Sequence, residues 1–260
     1  SEKDTEKDSA VTGFGYPVAT PEGGNIDYED PIQMYDVTYT HVKYTKGFKV
    51  SREMVEDDLY NIIKKKPAAL GRSFKRWQER SAAQVFNRAM NSSYLGGDSQ
   101  ELCSTVHPRA DGGTSQSNAS ATGITLTEAN LETAKIAMRG QLDDKGMRID
   151  ALPNTLIVPI QLDKTAHLIV DSTLRQGTAD NDANTYKGQF KIIDWIYMDN
   201  STTRWFLLDS SLHELNWFWR VRPEFKQDDS FDTDMALYKA RARWSNGWSD
   251  WRGVWGSNGD

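Results

Sequence analysis

Two side chains able to do covalent chemistry lie four residues apart in the stretch ELCSTVHPRADGG. They are Cys103 and His107. A thiol deprotonated by a nearby imidazole is the nucleophile of cysteine hydrolases, so this spacing offers a Cys/His hydrolase as one function. The alternative is structural, because a loop cysteine packs as a small apolar side chain and His107 lies in a turn before Pro108. We expect the structural role and predict no catalytic residue.

Metal and cofactor chemistry has little support in the sequence. The histidines are His41, His107, His167 and His213. They fall in different predicted elements, and the chain has no HExxH or CxxC motif, so the clustered ligands of a zinc site are missing. The acidic pairs at 143–144 and 228–229 lack the spacing of an EF-hand. We predict no metal, no cofactor and no enzymatic activity.

Tryptophan is concentrated near the C-terminus, where the sequence reads WSNGWSDWRGVWGSNG. Eight of the nine tryptophans lie at or after Trp195. Amphipathic indole rings that are exposed can stack on sugars, which makes a Trp-rich carbohydrate-binding module a second alternative. Clustered tryptophans more commonly pack in a core or at a subunit interface, and we expect that use here.

The overall composition is that of a globular protein able to build a core. The 260 residues are 38% hydrophobic and 26% charged, and the mean hydropathy is −0.67. No window approaches the ~18 apolar residues of a membrane span, and the first residues, SEKDTEKDSA, do not read as a secretory signal. The single cysteine fits a reducing compartment.

Charge is unevenly distributed along the chain. Residues 1–30 carry eight acids and two lysines, which accounts for the whole net charge of −6. Residues 64–80 are basic, with seven lysines and arginines against one acid, Glu79. Because opposite potentials steer association, the acidic arm and the basic helix invite pairing within a subunit or between neighbours. The alternatives are a solvated helix face and nucleic-acid binding, and the sequence pI of 5.3 argues against the second.

The N-terminal segments predict an arm followed by a hairpin. Residues 1–25 are rich in charge, glycine and threonine with few periodic apolar positions, which indicates an extended arm. Apolar residues then alternate from Tyr35 to Val50, and Thr45-Lys46-Gly47 has the composition of a turn, so we predict a β-hairpin. Two strands alone are marginally stable in water, and a partner surface is expected.

A long helical pattern follows the predicted hairpin. Apolar residues recur at helical spacing over 51–65 and again over 67–91, with Ser51 as the N-cap. Pro67 cannot continue the first helix smoothly but suits the first position of a second one. We therefore predict two collinear or kinked helices.

The remaining segments predict one long loop, one capped helix and a β-rich second half. Residues 91–123 have a loop composition, and 128–139 predict a helix capped by Thr125 or Thr127 and ended by Gly140. The further elements are a strand in 152–162, a helix near 162–170, and strands at 190–198, 204–208, 215–222 and 235–244, with a turn at 199–202 joining the first two of these strands as a hairpin. The class is α+β.

Several pieces, taken in order, resemble the Mu-like major head protein family of tailed bacteriophages. They are FKVSREMVEDDLYNII, LGRSFKRWQERSAAQVFNRAMN, LCSTVHP, LTEANLETAKIAMRGQLDDKGMRIDALPNTLIVPIQL and WRGVWGS. Together they span about residues 28–255. The resemblance implies the tailed-phage major capsid fold of the Hong Kong 97 type, an α+β fold with an N-terminal arm, an extended β-hairpin loop, a long spine helix, and peripheral and axial domains.

The resemblance also implies a division of the chain. The implied segments are 1–27 as the N-terminal arm, 28–50 as the extended loop, 51–150 as the peripheral domain with the spine helix, 151–212 as the axial domain, and 213–260 as strands returning to the peripheral domain and a C-terminal tail.

By the same resemblance the chain would be a major capsid protein that self-assembles into hexamers and pentamers of an icosahedral phage head. Its partners would be copies of itself, packaged double-stranded DNA bound without sequence specificity, and portal, scaffold or decoration proteins, with no membrane. It would be assembled in the host cytoplasm and located in the virion. An exposed arm, an isolated hairpin and an unusually long helix are each poorly covered in a monomer. All three are expected in a subunit whose neighbours cover them in a closed shell. The inter-subunit contact candidates are Tyr35, Val37, Tyr39, Lys64, Lys65, Lys66, Arg72 and Arg76.

Overall fold

A computed structural model describes residues 3–57, 62–175, 182–230 and 234–259. The chain forms two compact units that are interleaved along the sequence. The first unit consists of Ser1–Lys7, Thr38–Ala82 and Asn216–Gly247, and the second of Asp8–Val37, Ala83–Leu215 and Trp248–Asp260.

The described residues form nine strands, four α-helices and one short 3-10 helix. The strands are β1 (Thr5–Val11), β2 (Gln33–Thr40), β3 (Val42–Ser51), β4 (Thr155–Val158), β5 (Lys191–Asp194), β6 (Trp205–Leu208), β7 (Leu215–Ser230), β8 (Met235–Trp248) and β9 (Val254–Ser257). The helices are α1 (Arg52–Glu56), α2 (Ile62–Asn87), α3 (Glu128–Arg139), α4 (Asp163–Val170) and the 3-10 helix Ile160–Leu162. None of the helices in these ranges is long and apolar enough to cross a membrane.

The first unit is built on a three-stranded sheet in the order β3-β8-β7. Strands β3 and β8 pair antiparallel over ten residues, from Val42 opposite Trp244 to Ser51 opposite Met235. Leu70 and Phe74 of α2 share a buried cluster with Trp244, because side chains alternate across a strand and one face of β8 carries apolar residues. Helix and sheet therefore bury a common core.

The hairpin predicted within 28–50 is wrong, because its two strands do not pair with each other. Strand β3 pairs with β8, whereas β2 pairs with β1, so the two halves of the predicted hairpin belong to different sheets. The supposed turn Thr45-Lys46-Gly47 lies inside β3. Gly47 is needed there because a Cβ on it would lie 2.6 Å from the carbonyl oxygen of Tyr238 on β8. The glycine marks a close approach between strands and not a reversal of the chain.

The break predicted at Pro67 is also wrong. Helix α2 begins before Pro67 and continues through it to Asn87. Pro67 is only the sixth residue of the helix, so its missing N–H leaves one carbonyl near the helix start without a hydrogen bond. A 26-residue helix tolerates this loss. The predicted cap is confirmed, because the N–H of Met54 donates to Ser51 Oγ over 3.4 Å at the start of α1. The predicted apolar position Leu59 lies outside the described residues.

The second unit contains a four-stranded sheet in the order β5-β4-β6-β9. Strand β4 pairs parallel with β5 and antiparallel with β6, so the hairpin predicted to join β5 and β6 is wrong. The fully buried β4 separates the two strands because both of its faces are apolar and need cover. The prediction of α3 is confirmed at both ends, with Thr127 as N-cap and Gly140 as C-cap.

Large buried side chains fill the second unit in two clusters. One cluster includes Leu131, Met138, Leu156, Trp205 and Trp255. The other includes Phe86, Leu102, Cys103, Phe206 and Trp251. The two clusters draw on alternate residues of β6, because Trp205 and Phe206 are neighbours in the strand and point to opposite faces.

The burial of Trp244 in the core of the first unit leads to a prediction about stability. Its ring is 1% exposed and stacks on Tyr44 with centroids 4.2 Å apart. We expect Trp244→Ala to lower the free energy of unfolding by about 3–5 kcal/mol, because it leaves a cavity. The matched control is Trp77→Ala, which removes a ring that is 41% exposed and should cost at most about 1 kcal/mol. Urea unfolding followed by circular dichroism measures both variants, and equal midpoints would contradict the assignment.

Candidate self-association surface

The segment between β1 and β2 leaves large apolar side chains in solvent. Residues 12–32 form neither helix nor strand. The bare side chains are Phe14, Tyr16, Val18, Ile26 and Tyr28, with exposed fractions between 62% for Phe14 and 87% for Tyr28. Exposed apolar patches on a folded protein mark interaction sites, and these five side chains lie within one segment of the chain.

The two ends of this segment are held together. The N–H of Thr12 donates to the carbonyl of Ile32 over 2.8 Å, and the N–H of Ile32 donates to Thr12 Oγ1 over 2.8 Å. Inside the segment, Glu29 accepts from Lys145 Nζ over 2.5 Å and from the N–H of Gly15 over 2.6 Å. The hydrogen bond from Lys145 is the main reason that the pKa of Glu29 is lowered. The segment is therefore a closed loop with a fixed base.

Sequence reasoning predicted an arm that neighbours cover, but it missed the apolar side chains that this segment exposes, although a signal was present. Phe14, Tyr16 and Val18 alternate with small or polar residues, and so do Ile26 and Tyr28. A period of two is typical of a strand that presents one apolar face. The surrounding charge, glycine and proline concealed the pattern. Each run is suited to lie extended against another surface.

The structure places the predicted contact residues of β2 against their own chain. Tyr39 is buried and its ring lies 4.9 Å from that of Phe218 in the first unit. Tyr35 and Val37 are half-buried in the second unit, where both lie against Gly97. Burial raises the pKa of the Tyr35 phenol, and the nearby charge of Asp144 adds to this. The three residues do not form one exposed row.

The predicted basic residues of α2 lie mainly in solvent. Lys65, Arg72 and Arg76 are exposed and Lys66 is half-buried, while the side chain of Lys64 lies outside the described part of the chain. Because Arg72 and Arg76 are four residues apart, they are neighbours on one helix face and repel each other. A stripe of this kind suits an anionic partner.

The long loop 91–123 is fixed to the C-terminal segment by one buried amide. Asn118 is fully buried, and its Nδ2 donates to the carbonyls of Leu102 (2.8 Å) and Val254 (3.1 Å). Its Oδ1 accepts from the N–H of Ser104 over 2.9 Å and contacts His107 Nε2 at 3.0 Å. One side chain thus satisfies backbone groups that lack partners in a helix or strand.

The same loop holds the Cys/His pair, and its geometry does not support catalysis. His107 is fully buried with Nδ1 2.6 Å from Asp98 Oδ2 and Nε2 on Asn118, so both ring nitrogens face acceptor oxygens. Its ring stacks on Trp251 at 4.2 Å. Cys103 is 2% exposed in an apolar cluster, and burial raises the pKa of its thiol. A protonated, enclosed thiol is not a nucleophile.

Comparison with known proteins settles the class of this chain. Residues 35–257 match the family described as phage capsid protein. The chain belongs to the phage capsid protein family. No curated protein sequence matches it.

Solved structures from phages share the fold of this phage capsid protein. A chain from the bacteriophage JBD30 capsid is 14% identical with a TM-score of 0.64, covering 76% of this chain and 88% of that one. A chain from Microbacterium phage Oxtober96 is 11% identical with a TM-score of 0.62, covering 99% and 87%. A chain from Mycobacterium phage Adephagia is 13% identical with a TM-score of 0.56, covering 99% and 86%.

The two alternative functions lose their support in a phage capsid protein with this geometry. The hydrolase required an accessible thiol beside a free imidazole, and Cys103 and His107 provide neither. The carbohydrate-binding module required exposed indoles, and Trp251 and Trp255 are buried. In the described ranges no group of three or more His, Cys, Asp or Glu side chains could hold a metal ion.

The buried amide generates a prediction for the stability of this phage capsid protein. We expect Asn118→Ala to lower the free energy of unfolding by about 3 kcal/mol or more, because it leaves two carbonyls and one N–H buried without partners. Asn130→Ala is the matched control, since Asn130 makes an exposed bond to the carbonyl of Thr125 and should cost about 1 kcal/mol. Thermal unfolding of both variants tests the difference. Similar losses in the two would show that Asn118 does not hold the loop.

The enclosed thiol generates a second prediction. We expect native Cys103 to react with an aromatic disulfide reagent at pH 8 at least roughly a hundred-fold slower than the unfolded chain, because burial removes both access and thiolate. The reaction is followed by absorbance with and without denaturant. Fast labelling of the folded chain would return the cysteine to consideration as a reactive group.

Proposed function

We propose that this phage capsid protein is the major subunit of a phage head and assembles with copies of itself into hexamers and pentamers of an icosahedral shell. The observation that carries the proposal is the closed loop 12–32, whose apolar side chains are bare in the single chain. Covering them by a neighbour removes apolar surface from water, which is the main driving force of association. Closed symmetric assemblies cover such surfaces in every copy.

Further bare apolar side chains support extensive self-association. In the second unit Ile136, Leu152 and Ile196 are more than half exposed. In the first unit Phe225 is 53% exposed. These side chains are distributed over both units, which fits a subunit that contacts several neighbours.

The finer assignments are part of the proposal. We assign residues 1–27 to an N-terminal arm, α2 to the spine helix of a peripheral domain, and residues 151–212 to an axial domain, in a chain of the Mu-like branch. Support comes from the ordered sequence resemblance and from the bare loop 12–32, which overlaps the arm. The segment 28–50 keeps its proposed role as a contact between subunits, without the hairpin pairing.

The proposed partners follow from the proposed shell. The protein would enclose double-stranded DNA without reading its sequence, would be located in the virion after assembly in the host cytoplasm, and would meet portal, scaffold or decoration proteins. A net charge of −6 supports weak DNA contact, because tight binding of a phosphate backbone relies on an excess of lysine and arginine.

The bare loop provides the test of the proposed function. We expect Phe14→Ser, Tyr16→Ser and Val18→Ser together to reduce particle formation at least about tenfold, because each side chain contributes roughly 1.5–3 kcal/mol when fully buried. Subunit folding should be unchanged, since all three are exposed in the single chain. Sedimentation velocity measures assembly and circular dichroism measures folding.

The control for this test lies in the same loop. Ala19→Ser with Thr20→Ser changes two positions without removing a large apolar side chain and should leave assembly intact. Full-size particles from the triple variant at the normal yield would remove the loop from the interface.

A further inference from the structure

The two units of this chain carry opposite net charges. The residues of the first unit include 19 lysines and arginines against 13 acids, a net charge of +6. Those of the second unit include 12 lysines and arginines against 24 acids, a net charge of −12. The whole-chain charge of −6 therefore combines a basic and an acidic unit, and the first unit is the one whose charge can attract a polyanion.

The sheet of the first unit has two faces with different chemistry. Trp244 of β8 shares a buried cluster with Leu70 of α2, so the even-numbered residues of β8 point towards the helix. The odd-numbered residues of β8 point to the opposite side, which we name the outer sheet face. Because Lys43 lies opposite Arg243 in the β3–β8 register, the odd-numbered residues of β3 belong to the outer sheet face as well.

Strand β7 contributes its even-numbered residues to the outer sheet face. Phe225 packs edge-on against Phe74 of α2, at 6.3 Å between ring centroids, so the odd-numbered residues of β7 point towards the helix. Glu224, the neighbour of Phe225, instead lies 3.6 Å from Arg241 of β8. The outer sheet face consequently carries side chains from all three strands.

Six exposed cations occupy the outer sheet face. They are Lys43 and Lys49 of β3, Arg222 and Lys226 of β7, and Lys239 and Arg241 of β8. Four of them line a cavity of about 450 Å³, so this part of the face is concave. Residues two apart on a strand are separated by roughly 6.6 Å and neighbouring strands by about 4.8 Å, so the charges form a two-dimensional array.

Acidic side chains offset only part of this charge. Of the described acids, Glu224 is the one in an ion pair with any of the six cations, and Asp228 lies near the end of β7. Arg243 belongs to the same face, but Asp4 of the same chain already holds it in an ion pair. Arg243 is therefore left out of the site, and the six remaining cations give the face its excess of positive charge.

The outer sheet face offers little apolar surface to a partner. Among the described residues of this face, Leu237 is the one exposed large apolar side chain, at 37%. Phe218 of β7 is covered by Tyr39, with ring centroids 4.9 Å apart. The buried core of a protein–protein interface is apolar and poor in charge, whereas a phosphate backbone is held mainly by lysine and arginine. The composition of the face thus favours a nucleic acid over a second protein.

We propose that the outer sheet face binds double-stranded DNA through its phosphate backbone, without reading the base sequence. This inference rests on the proposed function and assigns the contact with the enclosed DNA to one face, which would be turned to the lumen of the shell. A concave array suits the convex surface of a duplex, because cations on three strands can reach phosphates of both DNA strands. The binding would be weak and strongly dependent on salt, since release of counterions supplies the affinity.

Binding of a labelled duplex to the unassembled full-length chain tests the inference. Fluorescence anisotropy measures the binding constant of a duplex of about 20 base pairs over a range of salt concentrations. We expect the logarithm of this constant to fall against the logarithm of salt concentration with a slope of roughly −4 to −5, as for about five phosphate contacts. Two duplexes of unrelated sequence should bind equally. Binding that depends on sequence, or a slope near zero, would contradict the proposed mode.

Removal of three cations locates the binding on the outer sheet face. We expect Lys43→Gln, Lys226→Gln and Lys239→Gln together to weaken duplex binding at least about tenfold at about 50 mM salt. The slope should become shallower by roughly 2.7, because each lost phosphate contact removes about 0.9. Circular dichroism should show an unchanged fold, since all three side chains are exposed.

The matched control removes the same charge from α2. Lys65→Gln, Arg72→Gln and Arg76→Gln change three exposed cations of the helix and should leave the slope unchanged. Equal loss in both triple variants would overturn the site, since only net charge would then matter. Loss in the helix variant alone would place the DNA on α2, and the inference would fail.

A variant that strengthens binding guards against loss of binding through misfolding. We expect Glu224→Gln to tighten duplex binding about two- to fivefold, because it removes the carboxylate paired with Arg241. Glu79→Gln, which removes an exposed acid of α2, is the matched control and should leave binding unchanged. An equal gain in both variants, or no gain in Glu224→Gln, would overturn the site.

An acidic peptide distinguishes a protein occupant from DNA. Residues 20–32 carry four acids and no cation, and a labelled peptide of this sequence is measured at the same salt concentration. We expect the duplex to bind more tightly than the peptide. If the peptide binds more tightly and loses binding in the sheet variant, the face is a contact between subunits and the inference fails.

Two further outcomes keep this inference distinct from the proposed function. If the duplex does not bind but light scattering shows normal particles, the inference fails while the shell function stands. If the duplex binds as expected and no particles form, the inference is supported and the shell function fails.

Discussion

The structure depends on satisfying buried backbone groups in a chain that has little regular structure between α2 and α3. A loop of more than thirty residues cannot be buried unless its N–H and C=O groups find partners. Asn118 supplies them by bonding Leu102, Ser104 and Val254 at once. The loop and the strand β9 are thereby joined into one body, and the apolar clusters of the second unit form around that junction.

The large apolar side chains of this chain fall into two sets, one buried within its own unit and one exposed in the single chain. Trp205, Trp244 and Phe206 are enclosed by their own unit and determine whether the subunit folds. Phe14, Tyr16 and Tyr28 are enclosed by nothing in the single chain. If assembly uses the second set, as we propose, folding and assembly rely on separate residues, and changes in one set need not disturb the other.

Sequence reasoning succeeded where the signal was local. The ends of α3 follow from the hydroxyl of Thr127 and from Gly140, and these act within one turn of the helix. It failed where residues far apart in the chain decide the outcome. Neither the pairing of β3 with β8 nor the insertion of β4 between β5 and β6 is visible in local alternation. Gly47 was misread because a glycine signals both a turn and a close approach of strands.

The candidate surface was predictable only in part. The acidity of the N-terminal segment and the basic residues of α2 could be read directly, and the family resemblance indicated a capsid. The alternation of Phe14, Tyr16 and Val18 was readable as well, but in glycine- and proline-rich surroundings it carries little weight on its own.

The closed base of the 12–32 loop also determines how the chain tolerates added sequence. The two hydrogen bonds between Thr12 and Ile32 fix the points at which the loop leaves β1 and enters β2. The pairing of these strands therefore does not depend on the loop's length. Lengthening a flexible loop twofold costs only about 0.6 kcal/mol in closure entropy. A foreign peptide grafted near Thr20 would therefore be carried as an enlarged loop, with β1 and β2 still paired.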